Sequence, residues 1–143
     1  MIAFEHDIVI NRPPEAVFAF LTDVSRYPQW QTDLAEYRQT SDGPLSIGST
    51  GIAVRNIMGQ RDESGWQVTE LAPNSAYTVK TSGTMSGELA NTLQPTVDGT
   101  QVHVRVHLES KGLLRVAEPV MAGFVKKAFT DGYLKMKEML EAC

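Results

Sequence analysis

Pro119-Val120-Met121-Ala122-Gly123-Phe124-Val125-Lys126-Lys127-Ala128-Phe129-Thr130-Asp131-Gly132-Tyr133-Leu134-Lys135-Met136-Lys137-Glu138-Met139 lies near the end of a 143-residue chain. It is read first because its period is helical. Val120, Met121, Phe124, Val125, Ala128, Gly132, Met136 and Met139 fall on one helical arc, while Lys126, Lys127, Thr130, Lys137 and Glu138 fall opposite. Pro119 lacks an N–H that a first turn does not use, so the helix is expected to start near Val116 to Glu118. About two dozen residues at 1.5 Å each reach roughly 35 Å, enough to cross a small domain.

Everything upstream reads as material for that helix to lie against. Ile2 to Ile10 alternates, with Ile2, Phe4, His6, Ile8 and Ile10 on one side of a half-buried strand. Pro13-Pro14-Glu15 then opens a short amphipathic helix over residues 14 to 22, carrying Val17, Phe20 and Leu21. Asp23 and Ser25 can cap a second helical turn with Tyr27, Pro28 and Trp30. From Leu34 to Glu109 short strand-like runs alternate with turn clusters at Ser41-Asp42-Gly43-Pro44, Ser64-Gly65, Pro73-Asn74-Ser75 and Asp98-Gly99. The clearest run is Gln101 to Glu109, where Val102, Val104, Val106 and Leu108 oppose His103, Arg105, His107 and Glu109. After Gly112 the period becomes helical. A twisted antiparallel sheet must cover one apolar face, and the final helix is the only element long enough to do so. The expected fold is therefore α+β: about seven antiparallel strands curved around a long C-terminal helix, with two short helices after the first strand, in one domain over residues 1 to 143.

Composition bounds the function. Hydrophobic residues make up 42% of the chain, enough for a core, and no repeat or linker divides it. A formal charge of −4 and a pI near 5.3 repel nucleic-acid phosphates and anionic membranes. Glu5, Asp7 and Arg12 interrupt the N-terminal apolar residues, so no signal peptide is expected, and no apolar run is long enough for stable membrane insertion. The single cysteine, Cys143, allows no intrachain disulfide, and a cytoplasmic setting is the expectation. No phosphate-binding glycine loop, nucleophile elbow or zinc spacing occurs, so neither a cofactor nor a metal is expected. His103 and His107 share a strand face with Arg105, but that face opposes the valines and points to solvent.

Several motifs in order resemble one superfamily. Ile8-x-Ile10-x-x-Pro13-Pro14-Glu15-x-Val17-Phe18, Leu21-Thr22-Asp23 and Tyr27-Pro28-x-Trp30 come first. Asp42-Gly43-Pro44-Leu45-x-Ile47-Gly48, Trp66-x-Val68-Thr69-Glu70-Leu71-x-Pro73, Leu93-x-Pro95 and Gly99-Thr100 follow, ahead of the long helix. Together they resemble the START-like (SRPBCC, helix-grip) superfamily, and within it a polyketide cyclase/dehydrase-like member. The resemblance implies a helix-grip cavity, used by different relatives to carry lipids, sterols or plant hormones, to cyclise polyketides, or to regulate a chaperone.

Fold does not fix function, so the pocket is weighed residue by residue. The expected ligand-binding set is Phe4, His6, Trp30, Tyr77, Leu89, Asn91, Val104, Met121, Phe124, Val125, Ala128 and Gly132. Methionine and small residues on the helix leave an adaptable apolar wall. Gly132 within the arc would either admit a close backbone contact or leave room for a ligand. His6, Asn91 and Tyr77 are the polar candidates, each able to hydrogen bond to a ligand, and His6 able to act as a base. Ordinary core packing explains any one of these residues as well. The leading expectation is binding or transport of a small lipophilic ligand in an internal cavity. A polyketide cyclase/dehydratase using His6 with Asn91 or Tyr77 is the alternative, and a protein-interaction or chaperone-regulating module using the face around His103 is a third. Whether the chain is an enzyme stays open at this point.

Overall fold

The computed structural model describes residues 1–110 and 114–142; Gly112, where the period changes, and Cys143 lie outside them. The elements follow in the order β1 (Ile2–Ile10), α1 (Pro14–Leu21), a 3₁₀ turn (Val24–Arg26), α2 (Tyr27–Trp30), β2 (Leu34–Gln39), β3 (Thr50–Ile57), β4 (Gln60–Ala72), β5 (Ala76–Ser82), β6 (Met85–Pro95), β7 (Thr100–Ser110) and α3 (Leu114–Glu141). The strands form one seven-stranded antiparallel sheet in the order β1-β7-β6-β5-β4-β3-β2. Strands β2 to β7 make a meander, while β1 pairs on the outer side of β7 in register from Ile2↔Leu108 to Ile10↔Thr100. The short helices carry the chain from one sheet edge to the other. This is the α+β arrangement expected from the alternation in the strands and the helical period at the end.

The core follows from those periods. Val102, Val104, Val106 and Leu108 of β7 are all buried and meet Ile2 and Ile8 of β1 in the same cluster. On α3 the buried stripe is Met121, Val125, Phe129, Tyr133, Met136 and Leu140. Its steps of three and four residues match the helical repeat. Two expectations for this helix need correction. It starts at Leu114, so Pro119 sits in the second turn, because a proline near a helix start removes one hydrogen bond without fixing the first residue. Val120 is 63% exposed, since the stripe through Met121 and Val125 leaves its neighbour about 100° round the cylinder.

The end of α3 is tied to the end of β1 and the residues after it by three contacts, and a fourth lies within the helix. Arg12 Nη1 donates to the Leu140 carbonyl at 2.8 Å, and Lys137 Nζ donates to the Val9 carbonyl at 2.6 Å. Glu141 accepts from the Asn11 N–H at 2.8 Å and from Lys137 at 2.7 Å. These contacts hold Glu141 below its usual carboxylate range, with the Lys137 hydrogen bond the larger cause.

Turn chemistry places most reversals where the sequence reading put them, with one exception. Gly43 and Asn74 have positive φ in the expected turns, and Asp98-Gly99 separates β6 from β7. Ser64-Gly65, expected as a turn, lies inside β4 with Ser64 buried. The reversal between β3 and β4 occurs at Met58-Gly59, at φ of 52° and 82°. Two consecutive positive φ values give the hairpin turn whose twist suits its strands, and Met58 adopts a conformation that methionine rarely signals.

Gly51 of β3 faces Trp66 of β4 across the ladder. A Cβ there would lie 2.0 Å from Trp66 Cζ2 and 2.3 Å from the Arg38 carbonyl oxygen. Gly51→Ala is therefore expected to lose about 1–3 kcal/mol or more through overpacking. A urea melt that leaves the midpoint of this variant unchanged would show that the Trp66 ring can move aside.

Candidate functional site

Between α2, the middle of α3 and the strands β2 to β7, the packing leaves a cavity. Its volume, taken as the space open to the centre of a water molecule, is about 70 Å³. One water needs roughly 10–15 Å³ on that measure, so the space exceeds a single solvent site several-fold. Both tryptophans and all four tyrosines of the chain line it: Trp30, Trp66, Tyr27, Tyr37, Tyr77 and Tyr133.

Five of these rings form a continuous chain. Trp66 stacks on Tyr37 at 5.0 Å between centroids and 5° between planes, and Tyr37 stacks on Tyr27 at 4.3 Å. Tyr27 then meets Trp30 edge-on at 5.2 Å, and Trp30 meets Tyr133 edge-on at 5.2 Å. Such offset and edge contacts favour the aromatic quadrupoles and fix the rings in place. The sequence produces this local order because α2 sets Tyr27 and Trp30 three residues apart on one helical turn. Tyr37, Trp66 and Tyr77 arrive from three strands of the same sheet.

Polar groups on the wall fall into paired and unpaired sets. Tyr133 donates a hydrogen bond to Asn91 Oδ1, and Asn91 Nδ2 donates to the Tyr77 carbonyl at 3.2 Å, linking α3 to β6 and β5. Tyr27 donates to the Leu21 carbonyl at 2.7 Å. Arg55 pairs with Asp33 at 2.9 Å, with both side chains largely shielded from solvent, and lies over the Phe129 ring at 5.3 Å. By contrast, the Nε1 groups of Trp30 and Trp66, and Gln31 Oε1, are buried without a hydrogen-bond partner.

Burial raises the phenols. Tyr27 and Tyr37 stand well above their ordinary value of 10.0, chiefly through desolvation, with Arg55 opposing the rise at Tyr37. Tyr133 is also raised by desolvation, and its bond to Asn91 offsets part of that. Desolvation raises Tyr77 too, and its hydrogen bond with the Tyr27 phenol opposes the rise. At neutral pH these groups are hydrogen-bond donors, not bases.

Of the residues singled out in the sequence, Trp30, Tyr77, Leu89, Asn91, Phe124 and Val125 line the cavity. Phe4, His6, Val104, Met121, Ala128 and Gly132 lie off its wall. Asn91 keeps the inward side of β6 because the β5–β6 and β6–β7 ladders run without a register shift. His6 pairs opposite Val104 and is half-buried, with Nε2 unpartnered. Val104 and Met121 are core residues, while Ala128 lines a shallow outer groove with Lys127 and Asp131. Gly132 takes the close-contact arrangement: a Cβ there would lie 3.1 Å from the Trp30 carbonyl oxygen. Trp30, at 0% exposure, is a fully buried part of the wall. Sequence reasoning did not assign Tyr27, Tyr37, Trp66, Arg55, Phe129 or Tyr133 to the site. For Tyr27, Tyr37, Trp66 and Tyr133 the signal was the type of residue, since every tryptophan and tyrosine converges there.

On the outer sheet face His103 sits between two carboxylates, with Nδ1 2.7 Å from Asp7 and Nε2 2.9 Å from Glu5. The hydrogen bond to Asp7, then that to Glu5, raises its pKa above 6.5. No group of three or more metal-ligating side chains occurs among the described residues, and no described helix is long and apolar enough to cross a membrane.

Residues 1–141 match the family model described as "Polyketide cyclase / dehydrase and lipid transport". No curated protein sequence matches the chain. Among solved structures, the protein TTHA0849 from Thermus thermophilus superposes with a TM-score of 0.85 at 13% identity, covering 98% of this chain and 97% of that one. A START superfamily protein from Mycobacterium smegmatis gives 0.83 at 15% identity, covering 98% and 97%. The di-domain ARO/CYC StfQ from the steffimycin biosynthetic pathway gives 0.79 at 11% identity, with 99% of this chain matched to 51% of that one. At these identities the superpositions report the fold.

Proposed function

This chain belongs to the polyketide cyclase/dehydrase and lipid transport family, and from its cavity we propose that it binds or transports a small lipophilic molecule. The observation that carries this reading is the convergence of both tryptophans and all four tyrosines on one partly empty space. A chain that only needed a core would gain by filling that space, because packed interiors leave few voids larger than a water. Binding is favoured over a cyclase or dehydratase because the wall phenols are held protonated and the Arg55 guanidinium is already paired with Asp33. His6, the base considered for proton transfer, is not on the wall. The interaction-module reading has less support, since the outer-face His103 already has both ring nitrogens bonded to Glu5 and Asp7.

The test is native mass spectrometry on gently purified protein, followed by thermal unfolding across a library of hydrophobic small molecules. A co-purifying organic compound, or a ligand that at 100 times its Kd stabilises the fold by about 2.7 kcal/mol, is the expected result. Protein that carries nothing and responds to no library member would overturn the proposal.

A further inference from the structure

Near its start α3 inverts the usual polarity of a surface helix. From Val116 to Gly123 every outward residue is apolar: Val116 and Val120 are 83% and 63% exposed, and Ala117, Pro119 and Gly123 are exposed with them. The one charged residue in this stretch, Glu118, is buried, where it accepts from the Ser110 hydroxyl and pairs with the Met1 amine. A surface helix in water carries its charges outside and its apolar stripe within. A single exposed valine needs no explanation, but a stretch without any outward polar side chain does.

A second element adds to the same surface. Val116, Val120 and Lys127 fall within about 40° of one another around the helix axis at 100° per residue. Lys127, Phe124 and Ala128 border the outer groove, and Met58 and Gly59 of the β3–β4 turn line it from the sheet side. Met58 is 51% exposed and stands at φ of 52°, a conformation unfavourable for methionine that asparagine adopts readily. A chain that needed only a turn gains nothing from methionine here. The side chain it projects beside the groove is apolar and flexible, suited to an irregular partner.

The charges at the margin select that partner. Lys126 and Lys127 follow the apolar stretch directly and are exposed, with Lys127 paired to Asp131 at 2.6 Å. The formal charge of −4 opposes approach to an anionic surface. Screening confines each charge to about 8 Å at physiological ionic strength, so at contact the nearest groups dominate. Apolar side chains on two separate elements, edged by lysines, suit the boundary of a lipid bilayer, which adapts to projections that a protein partner would have to match in shape.

We infer that the first half of α3 and the Met58 turn form a docking face for a lipid surface containing anionic headgroups. Val116, Val120 and Met58 enter the headgroup boundary, and Lys126 and Lys127 meet the phosphates. The contact is peripheral, since no described helix is long and apolar enough to cross a membrane. This goes beyond ligand binding and stands on the outer surface alone. Phe124 and Val125, which continue the docked segment, line the cavity, so docking sets one cavity wall beside a lipid phase.

Vesicle flotation of the full chain tests the inference, with phosphatidylcholine vesicles prepared with and without phosphatidylglycerol. Binding is expected when phosphatidylglycerol is present and is weaker without it. Val116→Asp/Val120→Asp, at two exposed positions, is expected to weaken binding about tenfold or more. Met58→Asn is the sharper variant, because asparagine suits the positive φ: its urea midpoint should be no lower than that of the natural chain while its vesicle binding falls. Lys126→Glu is expected to weaken binding to the anionic vesicles and leave binding to pure phosphatidylcholine unchanged. A natural chain that floats with neither vesicle would overturn the proposal, as would binding that every variant retains in full. A concentration-dependent dimer in sedimentation velocity that Val116→Asp/Val120→Asp abolishes, without vesicle binding, would overturn it in favour of a second copy on this face. No cavity ligand enters these measurements, so an empty protein in native mass spectrometry leaves the docking result intact, and failure to float leaves the binding reading intact.

Discussion

Above pH 10 the protein is expected to unfold in one cooperative step in which all four tyrosines ionise together. Each phenol is raised above its ordinary value of 10.0 in the folded chain, with burial the largest cause in every case. A group whose pKa is raised by folding contributes stability that is complete below its unfolded value. That contribution is lost as the pH climbs through 10 towards the folded-state values, because the unfolded chain releases the proton first. One proton of difference changes stability by about 1.4 kcal/mol per pH unit. With four phenols still protonated in the native state, the slope approaches about 5 kcal/mol per pH unit. A total stability on the order of 5–15 kcal/mol is exhausted within a few pH units at that slope. Phenolate absorbance and far-ultraviolet circular dichroism should change at the same pH. Removing one phenol by Tyr77→Phe should lower the slope by about a quarter. Phenolate absorbance that rises gradually near pH 10 while the circular dichroism stays native would show that at least one of these rings is reached by water.

That four phenols share one cavity was not readable from the chain, and the reason is geometric. Tyr27, Tyr37, Tyr77 and Tyr133 lie on α2, β2, β5 and α3, so their meeting depends on how separate elements curve over one another. Local patterns report only which face of its own element a residue occupies. Where a face is unambiguous, the sequence was informative: alternation over Gln101 to Glu109 gave the buried side of β7, and the same pattern gave β1. The helical period of α3 was legible as a period but not to the residue. Phe129, Tyr133 and Leu140 belong to the buried stripe, and Val120 does not. Shifting an arc by one residue turns it about 100°, and nothing in the apolar pattern alone penalises that shift. Ser64-Gly65 shows a second kind of failure. A small dipeptide resembling a turn lies within β4, where Gly65 pairs with Ile52 on one side and Ser82 on the other. The true reversal uses Met58, which no turn propensity favours. The site residues divide along the same line: Asn91 could be placed from strand parity, whereas Trp66 needed its position over Gly51, a contact between neighbouring strands.

Trp30→Ala is expected to be the most damaging single substitution at the cavity wall. Deleting a buried tryptophan side chain removes about 3–5 kcal/mol, and Trp30 is at 0% exposure between Tyr27 and Tyr133 in the ring chain. It also removes two edge-on contacts, one to Tyr27 within α2 and one to Tyr133, by which α2 meets α3. Each such contact is worth about 0.5–1.5 kcal/mol beyond buried area. One term opposes the loss: the Trp30 Nε1 has no partner, and removing an unmatched buried donor returns about 1–3 kcal/mol. The packing terms exceed it, so the net loss is expected near 4 kcal/mol, a large fraction of the stability of a small domain. Trp30→Phe keeps most of the ring contact and sheds the same donor, so its loss should be well under half as large. The alanine variant leaves an indole-shaped space joined to the existing cavity. Free indole, at concentrations well above its Kd, should therefore restore about 2–3 kcal/mol by binding only the folded chain. Urea melts with and without indole measure both effects, provided the dependence on denaturant is unchanged. A loss below about 1 kcal/mol that indole does not alter would contradict this packing. Trp30 would then be a replaceable surface of the cavity and not the ring that joins α2 to α3.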